Sequence, residues 1–183
     1  MRRISGVVAA VALTLSVAAC NQAPTGSSAP AGGGGSSSSD GACPTNPDAL
    51  SSATGLTFEL GTVEKDHKLE TVPGVNALVC VFTATNEKIA AENYGDPLVL
   101  RVDVVEGADA DKVRAAFERT CAEAGRKVGP SSVPGARTCA DTTATEGEIS
   151  KADRVVEVYY VSTPDSMTQS LSDSFDKVLA TVG

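Results

Sequence analysis

The sequence predicts an α+β fold: an antiparallel sheet of about five strands with helices packed on one face, in the order α-β-β-β-α-β-β-α. Three observations lead there. Residues 77–85, 98–105, 136–142 and 154–162 are rich in Val, Leu and Thr and change character with the two-residue rhythm of strands. Two other stretches repeat at helical spacing: Val113, Ala116, Phe117, Thr120, Cys121 and Ala124, then Met167, Leu171, Phe175, Val178, Leu179 and Val182. The third observation is a repeat. Val72-Pro73-Gly74 opens a run ending on Cys80, and Val133-Pro134-Gly135 opens one ending on Cys139; each leads into Thr-Ala-Thr (83–85 and 143–145) with a glutamate close behind. Runs of antiparallel strands with segregated helices suit an α+β layer, here built of two similar modules.

Taken in order, Met1–Ala19 reads as an export signal. Arg2 and Arg3 form its charged start, Val7–Val17 its apolar stretch, and small residues follow. That stretch is shorter than the ~20 apolar residues of a spanning helix. It ends in Leu15, Ser16, Val17, Ala18, Ala19 and Cys20, which resembles the bacterial lipobox. The resemblance covers these first residues only. It implies that the Cys20 thiol receives a diacylglycerol, that the signal is cut just before it, and that palmitate-type acyl chains hold the chain to the extracytoplasmic side of the cell membrane. Two chains anchor where one does not, since each buried methylene adds about 0.8 kcal/mol. The competing reading is a plain secretory signal with a chance cysteine.

From Cys20 to Ala42 the chain is rich in Gly and Ser, with two prolines and no apolar period, so it cannot bury a core and serves as a tether. A Gly/Ser coil of this length spans about 25 Å. Residues 43–183 then form one domain. Removing Arg2 and Arg3 from the 15 basic residues leaves 13 against 23 acidic ones, a net charge near −10. With no basic cluster, nucleic acid is excluded as a partner and the body is not drawn to anionic headgroups.

Export permits disulfides. Cys43, Cys80, Cys121 and Cys139 allow three pairings. The repeat selects among them: twice, a helical region bearing a cysteine precedes a hairpin bearing one, which predicts Cys43–Cys80 and Cys121–Cys139. No Cys-x-x-Cys occurs, which argues against a redox motif or a zinc ribbon.

Within the body, Asn46 caps a short helix with Pro47 at its first position and Gly55 at its end. Residues 56–63 form a strand, and 64–70 a charged loop or strand end. Residues 77–85 pair with 98–105 as one hairpin, and 136–142 with 154–162 as the second. Leu78, Cys80, Phe82, Leu100, Val102 and Val158 face the helices. The other side of the sheet shows Val79, Val81, Val99, Val105, Val155, Tyr159 and Val161, with Arg101, Asp103 and Glu157 among them. That is more apolar than a water-facing side requires. It marks Val81, Val99, Arg101, Val155 and Tyr159, with the loop aromatic Tyr94, as a candidate binding face. Register decides which side each residue takes.

No catalytic residue emerges. His67, the only histidine, lies in a charged stretch without an evident nucleophile. Asp109 with Asp111, or Glu146, Glu148 and Asp153, suggest calcium only loosely, because the spacing of a calcium loop is missing. Helix-start carboxylates account for the first pair and a solvated loop for the second group. No cofactor or metal is expected.

The lipobox, the tether and the two-disulfide body together resemble the small exported lipoproteins of mycobacteria and other actinobacteria, several of them grouped only as domains of unknown function. The plan is also similar to the extracellular sensor domain of one class of mycobacterial serine/threonine kinases. An aromatic soon after the strand cysteine is common in these proteins: Phe82 fits, and Asp141 in the second half departs. The resemblance implies a non-catalytic binding or accessory domain for an envelope protein or ligand, and supplies no catalytic residues. Two alternatives stand beside it. A carrier of a small apolar envelope molecule needs a large apolar cavity, and a hydrolase needs His67 beside a serine or carboxylate.

Overall fold

The computed structural model describes residues 42–84, 89, 93, 95–161 and 163–183. The signal, Cys20, the tether through Gly41, and Tyr94 lie outside the described residues. Helix α1 (Pro47–Thr54) begins where the Asn46 side chain accepts the Ala49 amide at 3.0 Å and ends at Gly55, whose φ of 76° suits only glycine well. Strands β1 (Phe58–Lys68), β2 (Asn76–Ala84) and β3 (Leu98–Glu106) follow as a meander. Helix α2 (Ala110–Glu123) comes next, then β4 (Lys127–Pro130), β5 (Ala136–Ala140), β6 (Ala144–Lys151) and β7 (Arg154–Val161), and finally α3 (Asp165–Val182). All strands join one antiparallel sheet in the order β1-β2-β3-β7-β6-β5-β4. The fold is α+β, and both disulfides are present as Cys43–Cys80 and Cys121–Cys139.

Three features differ from the sequence expectation. Among the described residues the sheet has seven strands, not five. The added ones are β4 and β6, and β6 separates β5 from β7, so the second hairpin is β6–β7. The sequence of β6, Ala-Thr-Glu-Gly-Glu-Ile-Ser-Lys, has no apolar alternation to mark it as a strand, although Gly147, Glu148 and Ile149 are all buried. Glu146 and Glu148 therefore stand on a strand and not in a solvated loop. Strand β1 also runs on to Lys68, through the stretch expected to be a loop or strand end. It is exposed along nearly its whole length, and Glu59, Glu64, Lys65 and Asp66 guard this edge against pairing with other chains.

The third difference is that helices cover both faces. Helices α1 and α3 lie on the side of Leu50, Cys80, Phe82, Leu100, Val102, Val158, Phe175 and Leu179. Helix α2 lies on the other, its Ala110, Val113 and Ala116 packed on Val79, Val105 and Val155. Val155 is fully buried there, so it belongs to a second core and not to a binding face.

The repeat explains this arrangement. The strand order reads the same from either end about β7: β1 answers to β4, β2 to β5 and β3 to β6. A half-turn about β7 that exchanges those strands also exchanges the faces, which sends the second module's helix to the opposite side from the first. The Val-Pro-Gly turns agree in detail. Val75 N donates to Val72 O at 3.1 Å and Ala136 N to Val133 O at 3.0 Å, with Gly74 and Gly135 at φ of 82° and 80°. Proline followed by a left-handed glycine is the requirement of a type II turn.

Candidate functional site

The α2 side of the sheet has two parts. Toward one end, Val79, Val105 and Val155 are sealed by α2. Beyond them, strand register lays two polar rows across the sheet. The first runs Val79, Asp103, Glu157, Glu148, Arg137 over β2, β3, β7, β6 and β5. The second runs Val81, Arg101, Tyr159, Glu146 over β2, β3, β7 and β6. Between these rows and Ala116, Phe117 and Thr120 of α2 is a pocket of about 200 Å³, with Asp103, Glu146, Glu157, Tyr159 and Thr71 also in its lining.

Most charges in the rows are matched. Arg101 Nε donates to Asp103 Oδ1 at 2.7 Å, and its guanidinium stacks 5.8 Å over the Tyr159 ring. Arg126 Nη2 donates to Glu146 Oε2 at 2.6 Å. Arg137 donates from Nε and Nη2 to Glu148 Oε1 at 3.0 and 2.6 Å, reaches Glu118 with Nη1, and stacks on Phe117. Glu148 is fully buried, and its Oε2 has no partner. Among the described residues no hydrogen bond or ion pair reaches the Glu157 side chain, which stands between Asp103 and Glu148 in its row.

These surroundings shift the acids upward. Burial, reinforced by Asp103, Glu148 and Glu146 and opposed only by Arg101, lifts the Glu157 carboxyl to about 8. Burial also raises Asp103 and Glu148, against the pull of Arg101 and Arg137 respectively. The consequence for stability has a definite sign. From an unfolded value of ~4.3 up to about 8, the folded chain keeps a proton on Glu157 that the unfolded chain has released. Stability from this group is therefore complete below the lower value and is lost as pH rises through the upper one. Urea midpoints measured from pH 4.5 to 9 are expected to fall across that window, with a slope of at most about 1.4 kcal/mol per pH unit. Glu157→Gln is expected to flatten most of it. An equally steep fall in that variant would place the titration elsewhere.

Of the candidate binding residues, Val81, Val99, Arg101 and Tyr159 share this face and are partly exposed. Val155 is core, and Tyr94 is outside the described residues. Glu146, Glu157, Phe117 and Thr120 complete the pocket without having been singled out as binding residues. Asp103 and Glu157 each break an otherwise apolar alternation, but only the pairing of β3 with β7 sets them in one row. Glu148 could not be placed with them, because nothing marked its segment as a strand.

His67 is on β1, with Nδ1 2.7 Å from Glu64 Oε2. The carboxylate a hydrolase would need is thus beside it, but among the described residues no hydroxyl bonds to its imidazole. Asp109 and Asp111 pair with Lys112 and Arg114, the arrangement of a helix start. Among the described residues, no group of His, Cys, Asp and Glu is placed to hold a metal ion, and no helix is long and apolar enough to cross a membrane.

The class these features define is an α+β domain with a partly open, charge-lined sheet face. Comparison with family models, curated proteins and solved structures finds no match for this chain.

Proposed function

We propose that this chain is a membrane-anchored lipoprotein of the extracytoplasmic side, tethered through Cys20, and that its body is a non-catalytic binding or accessory domain for a cell-envelope partner or ligand. The observation that carries the reading is the incomplete cover of the α2 face. Helix α2 seals Val79, Val105 and Val155, while Val81, Val99, Arg101 and Tyr159 remain partly exposed and Val161 is 38% exposed. An apolar strip with an arginine and a tyrosine in it has the composition of a protein contact. A second feature bears on the alternatives. The pocket beside the strip has three carboxylates in its lining and is smaller than the several hundred Å³ of a typical ligand cavity, and a second hollow of about 430 Å³ is lined by Arg126, Lys127, Thr138 and Asp141, so neither suits an apolar cargo.

The reading is tested in the full chain in its own envelope. A Tyr159→Ala, Val99→Ser variant is expected to fold, keep both disulfides and lose the cross-linked partner of the parent chain. Removing a contact anchor lowers affinity by 2 kcal/mol or more, whereas a surface substitution shifts stability by about half a kcal/mol. Cys20→Ala is expected to leave the detergent phase. If the double variant still captures its partner, the contact surface is elsewhere, and if Cys20→Ala stays in detergent, the anchor is not Cys20.

A further inference from the structure

We propose that the strip beside α2 receives one amphipathic helix of a partner protein, about three turns long, apolar on the side that docks and with lysine or arginine on its flanks. This rests on the reading of the same face as a contact surface, and it names what covers that face.

The internal symmetry points to a helix. The half-turn about β7 that exchanges the modules carries β6 onto β3 and the face of α3 onto the face of α2. On its own face α3 covers β6 and β7. A Cβ on Gly147 would stand 3.0 Å from Phe175 and 3.3 Å from Leu179, and the Phe175 ring lies 6.0 Å from that of Tyr160. The chain supplies α3 once. Its counterpart position, over β3 and β7 on the α2 face, is the strip of Val99, Arg101, Tyr159 and Val161. Two adjacent tyrosines show the contrast: Tyr160, under α3, is 8% exposed, whereas Tyr159 on the opposite side of β7 is left partly open. Helix α2, with 14 residues against the eight of α1, already takes the part of that position nearest Val105 and Val155. A short helix fits what remains.

Size separates this occupant from a second copy of the chain. The strip is two rows on three strands, Thr83, Val99 and Val161 beside Val81, Arg101 and Tyr159. With strands about 4.8 Å apart and same-side residues about 7 Å apart, its footprint is on the order of 200 Å². A stable dimer buries ~800 Å² on each partner. Three turns of helix are ~16 Å long and ~10 Å wide, the dimensions of the strip. Ala116, Phe117 and Thr120 of α2 wall one side of the groove above Tyr159, so the occupant lies in the helical layer beside α2. A contact this small persists where both partners are confined at one membrane, as an anchor at Cys20 confines this chain.

Charge sets the flanks. The row of Val99 and Val161 ends on β1 at the exposed Glu59, and the row of Val81 and Tyr159 ends on β6 at Glu146. The cations nearby are matched: Arg101 by Asp103, Arg126 by Glu146, Arg114 by Asp111 and His67 by Glu64. With a formal net charge of −8 on the whole chain, the surrounding field favours a basic flank on the partner.

The test is photo-cross-linking of the full chain in its own envelope. Thr83, Val161 and, on the α2 wall, Thr120 are replaced one at a time by p-benzoylphenylalanine, and the linked residues are read by mass spectrometry. The expected result is one partner segment whose linked residues fall three or four positions apart, with Lys or Arg beside them. In the Tyr159→Ala, Val99→Ser background the yield should fall at least about tenfold. The three positions in the otherwise unaltered chain decide the matter even if that double variant folds poorly. Linked residues two apart mean a strand, links to this chain's own peptides mean a second copy, and links to lipid alone mean a membrane surface. Each of these overturns the proposal, as do scattered links or an acidic flank. A captured protein with strand or loop spacing removes only the helix and leaves the contact surface standing. Absence of any link, or a yield undiminished in the double variant, removes the contact surface and the helix together.

Discussion

Replacing Cys43 and Cys80 together by alanine is expected to lower the unfolding free energy by roughly 4 kcal/mol, and the Cys121, Cys139 pair by roughly 3 kcal/mol. The bonds close loops with sequence separations of 37 and 18, and chain entropy makes the longer loop the more stabilising. Against the 5–15 kcal/mol of an ordinary domain either loss is a large fraction. The first pair has a further role. Helix α1 has only eight residues, too few to persist alone, and is held by Leu50 in the main core and by the Cys43 link to the buried Cys80 on β2. Beside that link the Thr45 hydroxyl donates to the Thr181 hydroxyl of α3 at 2.9 Å. Alanine avoids burying a new hydroxyl at position 80. Equilibrium urea unfolding measures both losses. A loss under 1 kcal/mol for the Cys43, Cys80 pair would contradict the assignment of that bond as the main staple.

Arg137→Met is expected to be nearly as damaging, by about 3–5 kcal/mol at neutral pH, because it leaves the buried Glu148 carboxylate uncompensated. Glu148 receives two hydrogen bonds on Oε1, both from Arg137, and none on Oε2. Its carboxyl is already raised by burial, and removal of the guanidinium that opposes this raises it further. The penalty should therefore fade as pH falls and Glu148 takes a proton. Adding Glu148→Gln to Arg137→Met should recover most of the loss, since a neutral pair has no charge to desolvate. Urea unfolding of the two single variants and the double variant, at neutral and acid pH, completes the cycle. If the double variant is as unstable as Arg137→Met alone, the loss comes from the packing of Arg137 on Phe117 and not from the ion pair.

These expectations rest on unequally legible parts of the chain. The pairing of β2 with β3 was readable from the alternation of both strands, whereas the register that joins Cys80 to Val102 and Phe82 to Leu100 comes from the structure. Helices α2 and α3 were readable from a single apolar stripe each. The candidate site was half readable: Arg101 and Tyr159 were placed on the correct side. Val155 was misassigned, because alternation states which residues share a side and not what covers that side. Glu148 was out of reach for a different reason. A buried acid looks like a surface residue until its partner is known, and that partner, Arg137, is 11 positions away on another strand.

The sequence by itself determined the α+β class, the disulfide pairing and the turns at Gly74 and Gly135, because these depend on local periodicity, on φ and on a repeat visible in the chain. It led to the expectation of helices on one face, whereas α1 and α2 lie on opposite faces, which only the strand order reveals. Only the tertiary structure decided that order. By placing β6 between β5 and β7 it set Glu148 against Glu157, and by pairing β3 with β7 it set Asp103 on the other side. The site is made of residues 54 and 9 positions apart, and what joins them is hydrogen bonding between strands, which no local pattern encodes.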